Sequence, residues 1–246
     1  KKNELIFSLV WIAVYVVLFS LSDILSISLG IEKIVTAPLG LIFVVFLWYW
    51  IKKQDLLEKY GLCSFKGDAK KYLYFIPLAL ILTCNLWNGV TLNLSVAETS
   101  LYILSMLCVG FIEEVIFRGF LFKALCIENL NRAILISSIT FGIGHVVNLL
   151  NGAEVFLTVL QMCYATAIGF LFTIIFYKGK SLFPCIIVHS IFNALSVFAV
   201  EGSHVFNIVT AIVLSAISIG YAVWILKKAE PIYGLNSWRF TSWKNR

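Results

Sequence analysis

The sequence predicts an all-α, polytopic integral membrane protein with about eight transmembrane helices, and three observations carry that prediction. Of its 246 residues, 61% are hydrophobic and 13% charged, whereas an ordinary soluble domain is roughly 45–50% apolar and about 25% charged. The apolar residues fall in runs long enough to cross a bilayer, which takes roughly 20 residues per helix. Lys and Arg alternate in density from one connection to the next, as the positive-inside rule requires of a multi-pass chain. With a mean hydropathy of +0.95, the chain is excluded from the soluble, disordered, nucleic-acid-binding and disulfide-scaffold classes. Residues 1–246 are expected to form a single transmembrane domain.

The first apolar run starts at Leu5 and meets no charge before Asp23. That is longer than the roughly 7–15-residue core of a signal peptide, and no small-x-small cleavage site follows, so the run is expected to stay as the first helix. Further runs lie at about 34–51, 72–94, 99–123, 132–150, 155–177, 181–200 and 205–226, each bounded by charges or by Gly, Asn and Pro. Between the second and third, residues 52–71 set Leu56, Leu57 and Tyr60 among charges, the pattern of a surface helix. The tail from Pro231 places Tyr233, Trp238 and Trp243 beside Arg and Lys, which suits the headgroup region.

Orientation follows from the basic residues. One set of connections holds Lys52, Lys53, Lys59, Lys66, Lys70 and Lys71, then Lys123 and Arg132, then Lys178 and Lys180, with further Lys and Arg before the first run and after the last. The other set, around 30–33, 95–98, 148–154 and 201–204, contributes only Lys33. Both termini are therefore expected in the cytoplasm. The net charge of +6 is mainly topological and calls for no nucleic-acid partner. Six cysteines stand singly, with no C-x-x-C pair, and read as small buried apolar residues.

Against this apolar background a few polar residues stand out, because an ionisable group inside a span costs about 2.5–3.5 kcal/mol on insertion scales. The fourth run contains Glu113, Glu114 and Arg118. Glu114 and Arg118 share a helix face and can pair, whereas Glu113, about 100° around the helix, has no local partner. The fifth run contributes His145, preceded by Gly142 and Gly144; the seventh contributes His189 and Asn193, four apart on one face. At a rise of about 1.5 Å per residue, Glu113, His145, His189 and Asn193 all lie roughly 14–20 Å from the nearest lysine-rich connection. They can therefore meet in one internal cavity, expected to open on the cytoplasmic side or laterally from the inner leaflet. His204, beside Glu201 and Gly202, reads as a solvated loop residue.

A carboxylate beside a neutral imidazole in such a cavity can take a proton from water. A second His with an Asn offers donors to a developing oxyanion. That is a hydrolase arrangement, and it lacks the G-x-S-x-G and H-E-x-x-H motifs of serine hydrolases and zincins. An ion- or proton-coupled transporter or a non-catalytic scaffold is the alternative. A transporter would spread its polar residues through the membrane depth and show internal repeats, neither of which the sequence does.

The three patterns together resemble the CPBP family of intramembrane proteases, named for CAAX prenyl proteases and bacteriocin-processing enzymes. Its motifs E-E-x-x-x-R, F-x-x-x-H and H-x-x-x-N stand here, in that order, as Glu113-Glu114…Arg118, Phe141…His145 and His189…Asn193. The resemblance covers about residues 100–193. It implies an endopeptidase acting on a membrane-associated peptide or protein, with Glu113 activating water, His145 assisting, and His189 and Asn193 forming the oxyanion hole. Glu114 and Arg118 would brace the site. It further implies a glutamate-type enzyme with no cofactor, in a bacterial plasma membrane; were the site zinc-dependent, Glu113, His145 and His189 would be the ligands. The sequence does not separate CAAX-type cleavage from bacteriocin or pheromone processing or self-immunity.

Overall fold

A computed structural model describes the fold over residues 2–230. The anchoring expected of the tail from Pro231 lies outside the described residues. Two long helices come first, α1 (Lys2–Ser28) and α2 (Thr36–Lys53). A short α3 (Ile76–Leu82) precedes α4 (Val96–Glu114), which continues through a π-helical stretch, Val115–Phe122, into α5 (Lys123–Cys126). Next, α6 (Leu130–Gly144) tightens into a 3₁₀ segment, His145–Asn151. Helices α7 (Val155–Gly179), α8 (Phe183–Leu195) and α9 (His204–Lys228) complete the bundle. Ser95, Asn129 and Ser203 cap α4, α6 and α9 with side-chain oxygens that accept from backbone N–H groups.

Among the described residues, six helices are long and apolar enough to cross a membrane, and Phe183–Phe198 is a shorter apolar one. The chain is a multi-pass membrane protein. The third expected span, at 72–94, is not a continuous helix. Leu73, Tyr74 and Phe75 take left-handed backbone angles (φ 49°, 49° and 61°), and Pro77, which lacks an N–H, falls in the first turn of α3. α3 ends after seven residues, and neighbouring elements then satisfy the polar groups of the segment. Asn85 Nδ2 donates to Phe192 O at 2.7 Å and Asn88 Nδ2 to Glu201 O at 2.9 Å. Thr91 N donates to Phe198 O at 2.9 Å. Irregular backbone at membrane depth survives where protein supplies such partners.

The other departure is the stretch 54–68, which forms turns rather than a surface helix. Gly61 is left-handed (φ +75°) and has the Phe176 ring against it, so a side chain there would clash. Its carbonyl accepts from Leu182 N at 2.8 Å, and Cys63 O accepts from Ser181 Oγ at 2.6 Å. The segment is thus a plug over the lysine-rich end, with Tyr60 and Leu62 buried. Of the six cysteines, Cys84, Cys108 and Cys185 are buried as expected; Cys63 and Cys126 are half-buried and Cys163 is exposed.

Small residues set the helix spacing. A Cβ on Gly110 would lie 2.6 Å from Ser190 N and 2.7 Å from its Cα, so α4 and α8 cross nearly backbone to backbone. Gly142 does the same for α6 against α7, where a Cβ would come 2.7 Å from Met162 O. Gly144 is not needed this way, since Phe117 is its nearest neighbour at 3.8 Å. One apolar cluster gathers Tyr15, Phe43, Ile112, Phe120 and Phe141, and a second gathers Ile81, Phe172, Val188, Leu214 and Tyr221. Arg118 and His189 lie between them, each against Phe141 of the first and Phe172 of the second.

Candidate active site

The close crossing at Gly110 carries Glu113 and Glu114 toward His189, one position before Ser190. Ser190 Oγ donates to Leu107 O at 3.0 Å and fixes the register. His189 lies between the two carboxylates, its Nδ1 2.9 Å from Glu114 Oε1 and its Nε2 3.5 Å from Glu113 Oε2. The expected pair is present, Arg118 Nη1 donating to Glu114 Oε1 at 2.9 Å with both side chains fully buried. Arg118 belongs to the π-helical stretch, and its guanidinium lies 4.0 Å from the centroid of Phe141, which supports a cation off water. Gly169 leaves the room: a Cβ there would meet Arg118 Nη2 at 3.2 Å.

Glu113 has a partner that its own helix did not show. The hydroxyl of Tyr15, on α1, donates to Glu113 Oε1 at 2.6 Å, leaving Oε2 without a hydrogen bond. Nothing in the sequence marked Tyr15 except a hydroxyl in the middle of the first apolar run. His145 ends α6 where the backbone tightens into 3₁₀ geometry, and the Phe141 ring meets both histidines edge-on, at 5.4 Å for His145 and 5.5 Å for His189. His204, at the start of α9, stands apart from this cluster, against Phe156.

Glu113, His145 and Asn193 line one cavity of about 580 Å³, together with Tyr15, Ser105 and Gln161. His189 lines a smaller recess of about 30 Å³ behind it, shared with His145 and Asn193. The structure thus brings all four expected site residues together. It corrects the expected direction of access. From Glu113 the cavity follows the C-terminal half of α1, α4 back to Tyr102 and the end of α6 to the connections that hold Asp23, Lys33 and Asn151. That is the end of the bundle opposite the lysine-rich connections. Ser181, at the lysine-rich end, is fully buried and lies outside the cavity lining.

A zinc site needs three protein ligands converging on one point. No group of three His, Cys, Asp or Glu side chains able to hold a metal ion occurs among the described residues. His189 turns Nδ1 to Glu114 and Nε2 to Glu113.

Residues 95–195 match the family model described as Type II CAAX prenyl endopeptidase Rce1-like. All three motifs fall within the matched segment, which bears out the resemblance drawn from them. Over those residues the chain is similar to CAAX-type intramembrane proteases, and the long apolar helices around them fit a membrane setting. No curated protein and no solved structure matches the chain.

Proposed function

We propose that the chain hydrolyses a peptide bond within the membrane by a glutamate-activated water. The observation that carries this reading is the state of Glu113, whose Oε1 is held by Tyr15 at 2.6 Å while Oε2 has no hydrogen bond, in a cavity shared with His145 and Asn193. Glu113 accepts a proton from water as the water oxygen attacks the carbonyl carbon of the substrate. The Asn193 amide donates to the resulting oxyanion, and His145 orients the water. When the tetrahedral intermediate collapses and the C–N bond breaks, Glu113 returns the proton to the leaving amine. His189, with Nδ1 toward Glu114 and Nε2 toward Glu113, positions the base, and Arg118 balances the charge of Glu114. Under this assignment His189 acts on the base rather than directly on the oxyanion.

The test compares membrane-associated peptides in cells producing wild-type protein or Glu113→Ala. Peptides that accumulate uncut only in the variant support the proposal and name the substrate; identical peptide sets count against it. Purified protein is expected to keep its activity in o-phenanthroline, and loss of activity that added zinc restores would replace this mechanism with a metal-dependent one.

A further inference from the structure

The charges of the cavity differ from those of the bundle as a whole. The chain carries a net +6, yet the ionisable acids and bases lining the cavity are Asp23, Glu32 and Glu113 against Lys33 and one imidazole, His145. Lys33 is already engaged: its Nζ lies 2.8 Å from Asp23 Oδ1 and 3.8 Å from Glu32 Oε1. Asp23 also accepts from Thr36 Oγ1 at 2.5 Å and, through Oδ2, from Asn151 Nδ2 at 3.5 Å. The mouth therefore keeps an excess of negative charge, and a cleft with low-dielectric walls focuses that field onto an entering ligand.

Two further atoms point to a ligand laid along the cavity rather than to a self-sufficient ion cluster. The Ser105 side chain is fully buried, lines the cavity, and its hydroxyl has no partner. Asn151 Oδ1, nearer the mouth, is also buried without a partner. Buried polar groups are normally satisfied, and an extended peptide supplies a donor or acceptor every few ångströms. From Tyr15 to Ile27 the cavity follows α1 over thirteen residues, about 18 Å at 1.5 Å per residue. That holds roughly five residues of extended chain.

From these features we infer that the cavity takes a cationic peptide segment, presented at the end of the bundle opposite the C terminus of α9, its basic side chain held by Asp23 and Glu32 and its backbone by Ser105. By the positive-inside rule that end is extracytoplasmic, so the substrate is an exported or externally exposed basic peptide. A terminal carboxylate would meet Asp23 and Glu32 with no unengaged cation in the lining. This inference rests on the assignment of Glu113 as the base only for where cleavage falls, and binding is measured without turnover.

Glu113→Gln protein in lipid nanodiscs is titrated with fluorescein-labelled peptides, identical except for lysines, glutamines or glutamates at the same positions. The lysine peptide is expected to bind about tenfold or more tighter than the glutamate peptide at low ionic strength, a preference that shrinks as salt screens the charges. Glu32→Gln and, separately, Asp23→Asn should each reduce it; Glu32→Gln stays informative if loss of the Asp23 contacts disturbs folding. In proteoliposomes sorted by orientation with a C-terminal tag, the lysine peptide should bind only on the face opposite the tag. Equal affinities, no binding by any peptide, or binding on the tagged face alone would overturn the inference. The assignment of the base fails separately, if Glu113→Gln protein still cleaves peptides that wild-type protein cleaves.

Discussion

Replacing Arg118 by Ala removes a fully buried cation from beside a fully buried carboxylate. Arg118 Nη1 and Glu114 Oε1 are 2.9 Å apart, and neither side chain is exposed. At an effective dielectric of 20, unit charges at that separation attract by about 6 kcal/mol, and desolvation offsets much of this when both are present. Deleting one partner leaves the other's desolvation uncompensated, which costs about 3–5 kcal/mol. His189 Nδ1 stays within 2.9 Å of Glu114 and places the loss at the lower end. For a chain of this size each kcal/mol moves the midpoint by about 2–4 °C, so with a loss of about 3 kcal/mol Arg118→Ala is expected to melt about 6–12 °C below wild type. The assay is thermal unfolding in one detergent, followed by tryptophan fluorescence. Adding Glu114→Gln to an Arg118→Met background removes both charges and should recover most of the loss. A single variant melting within about 2 °C of wild type, or a double variant worse than the single one, would refute the pairing argument.

Gly110→Ala should separate α4 from α8, because the new methyl meets the Ser190 backbone as well as its hydroxyl, and the backbone cannot swing aside; a loss of about 1–3 kcal/mol and a fall in activity are expected, checked by melting and turnover. Tyr15→Phe removes a hydrogen bond to a charged group, worth about 1.5–3 kcal/mol. If that bond fixes the direction of Glu113, kcat falls tenfold or more with little change in KM, and unchanged kcat would make Tyr15 merely structural. At the lysine-rich end, burial pushes the Lys180 ammonium down to about 8. The folded chain then binds fewer protons than the unfolded chain between pH 8 and the ordinary lysine range, so the Lys180 contribution to stability rises with pH across that window. Lys180→Gln should flatten this part of the stability–pH curve, and an unchanged slope would contradict it.

The passages through the membrane were legible because hydropathy runs and lysine spacing are local, one-dimensional signals. The Glu114–Arg118 pair was legible for the same reason, as a contact within one helix. Glu113, His145, His189 and Asn193 could be placed together by counting residues from charged ends, which fixes depth but not rotation. Rotation decided what the count missed. Tyr15 reaches Glu113 from α1, and no pattern within either helix connects them. The broken third passage depended on left-handed residues at 73–75 and on distant partners such as Phe192 and Glu201 for Asn85 and Asn88. The direction of the cavity was missed because depth measured from lysines says how far a site lies from one face, and nothing about which end the helices leave open.

The central claim, that Glu113 is the base of an intramembrane hydrolysis, is tested most directly by the turnover of purified Glu113→Gln on a substrate recovered from the peptide comparison. The substitution keeps size and hydrogen-bonding capacity but removes the proton acceptor. Cleavage below a few per cent of the wild-type rate, with an unchanged melting temperature, is the predicted result; cleavage by the folded variant above that level would contradict the account.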